Sequence, residues 1–226
     1  MPKFELFRQH SAADIRRMEQ AGDAGGLVEA LDAPRVSGSV QLRTAVVTAL
    51  RRAGLSQTVP VVSDLLLTDP AEPVRRAAAN ALGEFGDPAA LPALRDALDD
   101  NSETVRLWAI KSLGRLRDRE SVDRLIGLLD SPDSGFRSYA AQALGDIGDQ
   151  RGTEPLLAHL DDPSGTVQIA VCLALRRLGD PRAIPALQES QSRANWRRRR
   201  RLTAALADLE ERFGASGGPQ SGPPSR

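Results

Sequence analysis

The sequence predicts an all-α solenoid of short paired helices, and three observations carry that expectation. The segment Val74 to Gly83 recurs as Val105 to Gly114, Phe136 to Gly145 and Val167 to Arg176, 31 residues apart each time. Between these copies a second series, Leu94, Leu125, Leu156 and Leu187, keeps the same interval. Gly and Asp punctuate both series, and a helix, a turn, a helix and a turn leave no room for a strand in a unit this short.

Composition is consistent with thin helical layers. Apolar residues make up 41% of the 226 positions but aromatics only 4%, so the core must be built from Leu, Ala, Val and Ile. Lys+Arg and Asp+Glu are balanced at 30 each, which leaves no overall field to steer the chain to nucleic acid or an anionic membrane. Cys172 is the single cysteine, excluding an intrachain disulfide or a thiolate metal cluster and fitting a reducing compartment. Residues 1–11 form an N-terminal extension carrying Lys3, Glu5 and Arg8, without an apolar run of signal-peptide length. With no stretch long enough to span a bilayer, the expectation is a cytoplasmic protein with no membrane contact.

Residues 12–213 read as one repeat domain. A degenerate first pair, 12–32, has Gly22-Asp23 as its turn and is followed by a longer loop, Asp32 to Ser39. Full pairs follow at 40–68, 72–99, 103–130, 134–161 and 165–191; the copy in the first of these, Leu42 to Arg51, lies 32 residues before the next. A terminal helix over 194–213 has Trp196, Leu202, Leu206 and Leu209 as its apolar stripe, and 214–226, rich in Gly, Pro and Ser, is expected to be a disordered tail.

The first helix of each pair has apolar residues three and four apart, as in Val105, Trp108, Ala109, Leu113 and Leu116, the spacing of one buried face. Small residues at or beside its fourth position, Ala45, Ala77, Ala140 and Ala170, let neighbouring axes approach. Gly86-Asp87-Pro88, Gly148-Asp149 and Gly179-Asp180-Pro181 end first helices, with Gly free to take a left-handed cap and Pro tolerated in the next opening turn. The links Asp69-Pro70, Asp100-Asn101-Ser102, Asp130 to Asp133 and Asp162-Pro163-Ser164 supply caps for the following helix. One pair cannot hide both its apolar faces, but stacked pairs bury a continuous interior.

The run Asp-Pro-x-x-x-Val-Arg-x-x-Ala-Ala-x-Ala-Leu-Gly-x-x-Gly-Asp, carried most fully by Asp69 to Asp87, resembles the HEAT-like repeats of phycobilin lyases and of many bacterial HEAT-repeat proteins. The resemblance covers residues 12–191. It implies a right-handed α–α superhelix, with first helices on the convex side and second helices on the concave side. It also implies that Arg43, Arg75, Arg106 and Arg137 brace neighbouring units through the Asp residues of the inter-repeat turns, with a departure at Gln168. Proteins of this kind serve as chromophore lyases, phycobilisome-degradation factors, partners of metabolic enzymes or adaptors, so the resemblance speaks to the scaffold more than to the function.

Side chains that could carry chemistry are accounted for by the repeat. His10 and His159 lie far apart with no ligand set at metal spacing, so no metal is expected. His159 is expected to be solvated or partly packed, its place on a second helix leaving a binding role open. Cys172 occupies the position of Ala79, Ile110 and Ala141, which is a packing position rather than that of a nucleophile. Asp99-Asp100 and Asp161-Asp162 recur at equivalent helix ends, where capping and bracing explain them better than acid–base catalysis. The glycines form no phosphate cradle. No catalytic residue and no cofactor are therefore expected.

The main functional expectation is a monomeric protein-binding scaffold that uses outward positions of the second helices: Asp64, Arg95, Asp96, Arg124, Gly127, His159 and Gln188. One feature stands outside the repeat, Arg193 with Arg197, Arg198, Arg199, Arg200 and Arg201. It is either a solvated cap on the last repeat, with Trp196 packed inward, or a docking patch for an acidic protein or a nucleic acid. Nucleic acid is the alternative partner; against it stand the neutral total and second helices that are largely apolar or acidic apart from Arg95, Arg124, Arg119, Arg151 and Arg182. A bilin lyase-like subunit is a further alternative, motivated by the resemblance alone.

Overall fold

A computed structural model describes residues 11–193 and 196–213. The described residues are helices and turns throughout, and they group into two compact units, Met1–Ser121 and Val122–Arg226. The N-terminal extension before Ser11 and the tail from 214 onward lie outside the described residues, as do the side chains of Arg193, Trp196, Arg197, Arg198 and Arg201.

Unit 1 opens with α1 (Ala12–Ala21) and α2 (Ala24–Asp32), the degenerate pair the sequence predicts. Ser11 caps α1 in a reciprocal box with Asp14, and Gly22 closes it at φ 64°. The stretch expected to be a longer loop contains one helical turn, α3 (Pro34–Ser37), because Pro34 is preset for an opening turn and Val36 is fully buried. Then come α4 (Val40–Arg52), α5 (Val59–Thr68), α6 (Glu72–Phe85), α7 (Leu91–Asp96) and α8 (Glu103–Arg115). First helices pack side by side, α1 on α4, α4 on α6 and α6 on α8, while α5 and α7 line the other layer.

Unit 2 contains α9 (Val122–Gly127), α10 (Ser134–Ile147), α11 (Thr153–Ala158), α12 (Gly165–Leu178), α13 (Ala183–Arg193) and α14 (Trp196–Phe213). Here α10 packs on α12 and α12 on α14, with α11 and α13 behind them. Helix α14 is more regular than an irregular end. Leu202, Leu206 and Leu209, all buried, stand 31 residues after Val171, Leu175 and Leu178, so α14 is a further first helix in register.

The second helices are shorter than the sequence pattern implies, because 3-10 turns flank them. Pro88–Ala90 and Gln150–Gly152 are such turns, each opened by an Asp whose carboxylate accepts an N–H two residues on: Asp87 from Ala89 and Asp149 from Arg151. Before them, Gly54, Gly86, Gly148 and Gly179 adopt φ between 63° and 76°. The equivalent residue after α8 is Arg117, at φ 54°, the one non-glycine with positive φ among the described residues.

Close packing of first helices depends on missing side chains. A Cβ on Gly145 would lie 2.6 Å from the Cα of Ala174, and one on Gly83 would lie 3.0 Å from the Cα of Ser112. Ser112 uses that proximity, donating to the carbonyl of Ala79 at 2.8 Å.

The braces implied by the resemblance form at Arg43, Arg75 and Arg137. Arg43 grips Asp69, Arg75 grips Asp100 and Arg137 grips Asp162, each through Nε and a terminal nitrogen at 2.7 to 3.0 Å. Each of these guanidiniums also donates to a carbonyl of its own preceding turn. Arg106 makes the same kind of backbone bond, to the Asp100 carbonyl, and lies 4.0 Å from the Glu103 carboxylate. Gln168 keeps the backbone bond, to the Asp162 carbonyl. Two of these acids are lowered: Arg137 lowers the Asp162 carboxyl, and for Asp100 burial pushes up but the Arg75 hydrogen bond and the Ser102 N–H outweigh it.

Candidate protein-binding surface

The buried row of the second helices is Val62 and Leu94 in unit 1 and Leu125, Leu156 and Leu187 in unit 2, none of them exposed. At 100° per residue, positions two before, two after and five after this row must face outward. All of them are exposed. In unit 1 these positions are Pro60, Asp64 and Leu67 on α5, and Pro92, Asp96 and Asp99 on and after α7. In unit 2 they include Asp123, Asp130, Glu154, Asp161 and Glu189, interspersed with Gly127 and Ala158. The outward positions of each unit thus form an acidic ridge with no Lys or Arg among them.

Of the residues predicted from sequence, Asp64, Asp96 and Gly127 stand on this ridge. Arg95 and Gln188 are one residue away from it. Arg95 is half-buried and grips Asp118, with Nε at 2.7 Å, and also Glu120, so it ties α7 to the turn after α8. Asp118 is lowered on balance, burial raising it and Arg95 overriding the burial. Gln188 is exposed and donates to Glu210 of α14 at 3.0 Å. Arg124 is exposed on α9, beside the ridge. His159 ends α11, its Nδ1 2.9 Å from the Pro155 carbonyl and its Nε2 3.3 Å from the Asp130 carboxylate. Among the described residues no group of His, Cys, Asp and Glu is placed to hold a metal ion, and Cys172 is buried in the α12 core face.

The arginine block lies at the start of α14. Arg199 and Arg200 are exposed to solvent; the side chains of Arg193, Arg197, Arg198 and Arg201, and the inward packing expected of Trp196, lie outside the described side chains. Unit 1 also carries a groove of about 440 Å³ between α1 and α4, floored by Ile15, Ala45, Thr44 and Thr48 and rimmed by Arg16, Glu19 and Arg52. The hydroxyls of Thr44 and Thr48 donate to carbonyls one turn back, which leaves their methyl groups to the groove.

A sequence profile described as HEAT repeats matches residues 26–113, 97–167 and 138–207. The chain belongs to the HEAT-repeat family. Solved structures, designed armadillo repeat proteins among them, resemble this HEAT-repeat chain over most of its length. The complex of CpcE and CpcF of phycocyanin lyase from Nostoc sp. PCC7120 is 26% identical, covers 80% of this chain and 74% of that one, and superposes with a TM-score of 0.60. YibA of E. coli is 16% identical, with 93% of each chain covered and a TM-score of 0.58. A designed armadillo repeat protein is 21% identical, covering 81% of this chain and 98% of that one at 0.57. No functionally curated protein matches the chain.

The HEAT-repeat register also shows what phase reasoning missed. Asp99, Asp123, Asp130, Glu154, Asp161 and Glu189 were legible by stepping from the Leu row in each pair. Choosing residues opposite a stripe helix by helix scatters over neighbouring rows instead. No helix among the described residues is long and apolar enough to cross a membrane.

Proposed function

We propose that this HEAT-repeat chain is a non-catalytic protein-binding adaptor that engages its partner through the exposed ridge of its second helices. The observation that carries the reading is the division of labour within each pair. Buried positions are filled by nearly the same aliphatic side chains from repeat to repeat, and most buried polar groups are consumed in braces and caps. The outward positions differ from pair to pair and hold the charge. A ridge of carboxylates repels phosphate backbones, so a protein partner fits it better than a nucleic acid. The test is affinity capture from the source cell with the full chain and with a D64S/D96S/D99S variant. A stoichiometric partner lost in the variant, with an unchanged melting curve, supports the reading; a partner retained at full affinity moves the site elsewhere.

Likeness to the CpcE–CpcF complex favours a second reading, a lyase-type subunit that works with another repeat chain to handle an open-chain tetrapyrrole. A visible absorption band on mixing with a bilin, or transfer of that bilin to an acceptor protein, would establish it. Absence of both, with protein capture intact, leaves the adaptor.

A further inference from the structure

Three large apolar side chains stand out as exposed among the described residues: Leu67 at 49%, Ile169 at 38% and Leu173 at 36%. They lie in opposite electrostatic settings. Leu67, on α5, shares its helix face with Asp64, and a step of one repeat onto the adjoining α7 leads from Leu67 to Asp99 and from Asp64 to Asp96. Ile169 and Leu173 lie one turn apart on α12, at positions that are Thr44 and Thr48, Arg76 and Asn80, Leu107 and Lys111, or Ser138 and Gln142 in other first helices. On this face of unit 2, residues one repeat apart stand side by side, as Asp146 and Arg177 do at 2.8 Å. The same step takes Ile169 to Arg200 and Leu173 to Ala204 on α14, with Arg199 next in sequence and both arginines exposed.

We propose that the α5 face of one copy docks on the α12–α14 face of a second copy of this chain. The aliphatic Leu67 seats between Ile169 and Leu173, whose one-turn spacing leaves room for one side chain. Asp64, Asp96 and Asp99 meet Arg199 and Arg200. Each patch has an apolar centre and a charged rim, and the rims have opposite sign, the arrangement of a complementary interface. An anionic membrane or a nucleic acid would satisfy the arginines but has no use for the acid-ringed Leu67. The contact is heterologous, unit 1 of one copy against unit 2 of another, so it builds closed or open series depending on the rotation. It borrows the unit 1 ridge from the adaptor reading but fails separately from it: a chain that stays monomeric yet captures a foreign partner sinks the self-contact alone.

The test is sedimentation velocity of the full chain from about 1 to about 200 μM at about 20 mM salt, repeated at about 0.5 M, where exposed charges are screened. The expected result is a weight-average mass that rises with concentration and needs at least about tenfold more protein to rise at high salt. L67S, I169S/L173S and R199E/R200E should each abolish the rise, and mixing R199E/R200E with D64R/D96R should restore it where neither variant associates alone. The mixing arm turns on exposed charges only and retains the apolar core, so loss of fold cannot mimic the pattern. A monomer across the whole range, or association indifferent to all three variants, overturns the proposal.

Discussion

Replacing Arg117 with glycine should stabilise the chain. Position 117 closes α8 where Gly54, Gly86, Gly148 and Gly179 close the other first helices, and its φ of 54° lies in the same left-handed region. A residue with a Cβ is disfavoured there by about 1 to 2 kcal/mol. Glycine gives back about 0.5 to 1 kcal/mol through the greater freedom of its unfolded chain. The Arg117 side chain is exposed, so no core packing is lost, and the net gain is about 0.5 to 1 kcal/mol. For a chain of this size that is a rise in Tm of about 1 to 4 °C. Thermal unfolding followed by circular dichroism measures it, with G148A as the reciprocal control expected to lose about 1 kcal/mol. An R117G chain that melts at or below the parent temperature would show that the arginine is held by something worth more than the backbone penalty, and would refute the reasoning.

Three further outcomes follow from the packing. R75A removes a guanidinium that is 8% exposed, bonds both oxygens of Asp100 and also donates to Asn101 and Asp69; it should cost about 3 kcal/mol in urea unfolding, and the R75A/D100A double variant should recover part of that loss. G145A drives a Cβ into the backbone of Ala174 and should cost about 1 to 3 kcal/mol, whereas alanine at the open, right-handed Gly127 should cost nothing measurable. Asp180, 1% exposed, is held at about 2 by the Arg182 side chain, helped by the Arg182 N–H and the Thr153 hydroxyl. Because its folded value lies below the unfolded one, its contribution is present above the ordinary carboxylate range and is lost as pH falls toward 2. Allowing for the exposed Arg182, that loss is about 1 to 2 kcal/mol and should be absent from the stability–pH profile of D180N.

The regular part of the fold was legible because burial recurs at fixed register, and a sequence reports burial through apolar spacing. What it could not report depends on partners distant in sequence or on the backbone. Helical phase puts Arg95 at the surface, but its carboxylate partner Asp118 comes from the next turn, 23 residues on. Arg117 carries no glycine signal, although its backbone takes the glycine conformation. Helix α14 looked irregular because the arginine block replaces the Val-Arg opening of the repeat, and only the burial of Leu202, Leu206 and Leu209 reveals the retained register. The outward pair Ile169 and Leu173 is not legible from spacing, because apolar residues on a first helix read as core until the fold shows which way they face.

The pattern of braces changes where the arginine block begins. Each complete brace joins an arginine to an acid 25 or 26 residues ahead, Arg43 to Asp69, Arg75 to Asp100 and Arg137 to Asp162. The same step from position 168 arrives at Arg193, a second cation where the scheme requires an acid. Position 168 itself holds Gln168 in place of the arginine, which keeps the bond to the Asp162 carbonyl without the charge. The Arg–Asp series thus has neither its arginine at 168 nor its acid at 193, one pair before α14. Arg199 stands at the brace register of α14 and is exposed, next to Arg200 and beside Ile169. At Arg43, Arg75 and Arg137 this register is consumed in a brace, whereas at Arg199 it is exposed on the face where Ile169 and Leu173 are also exposed, the combination that the proposed self-contact uses.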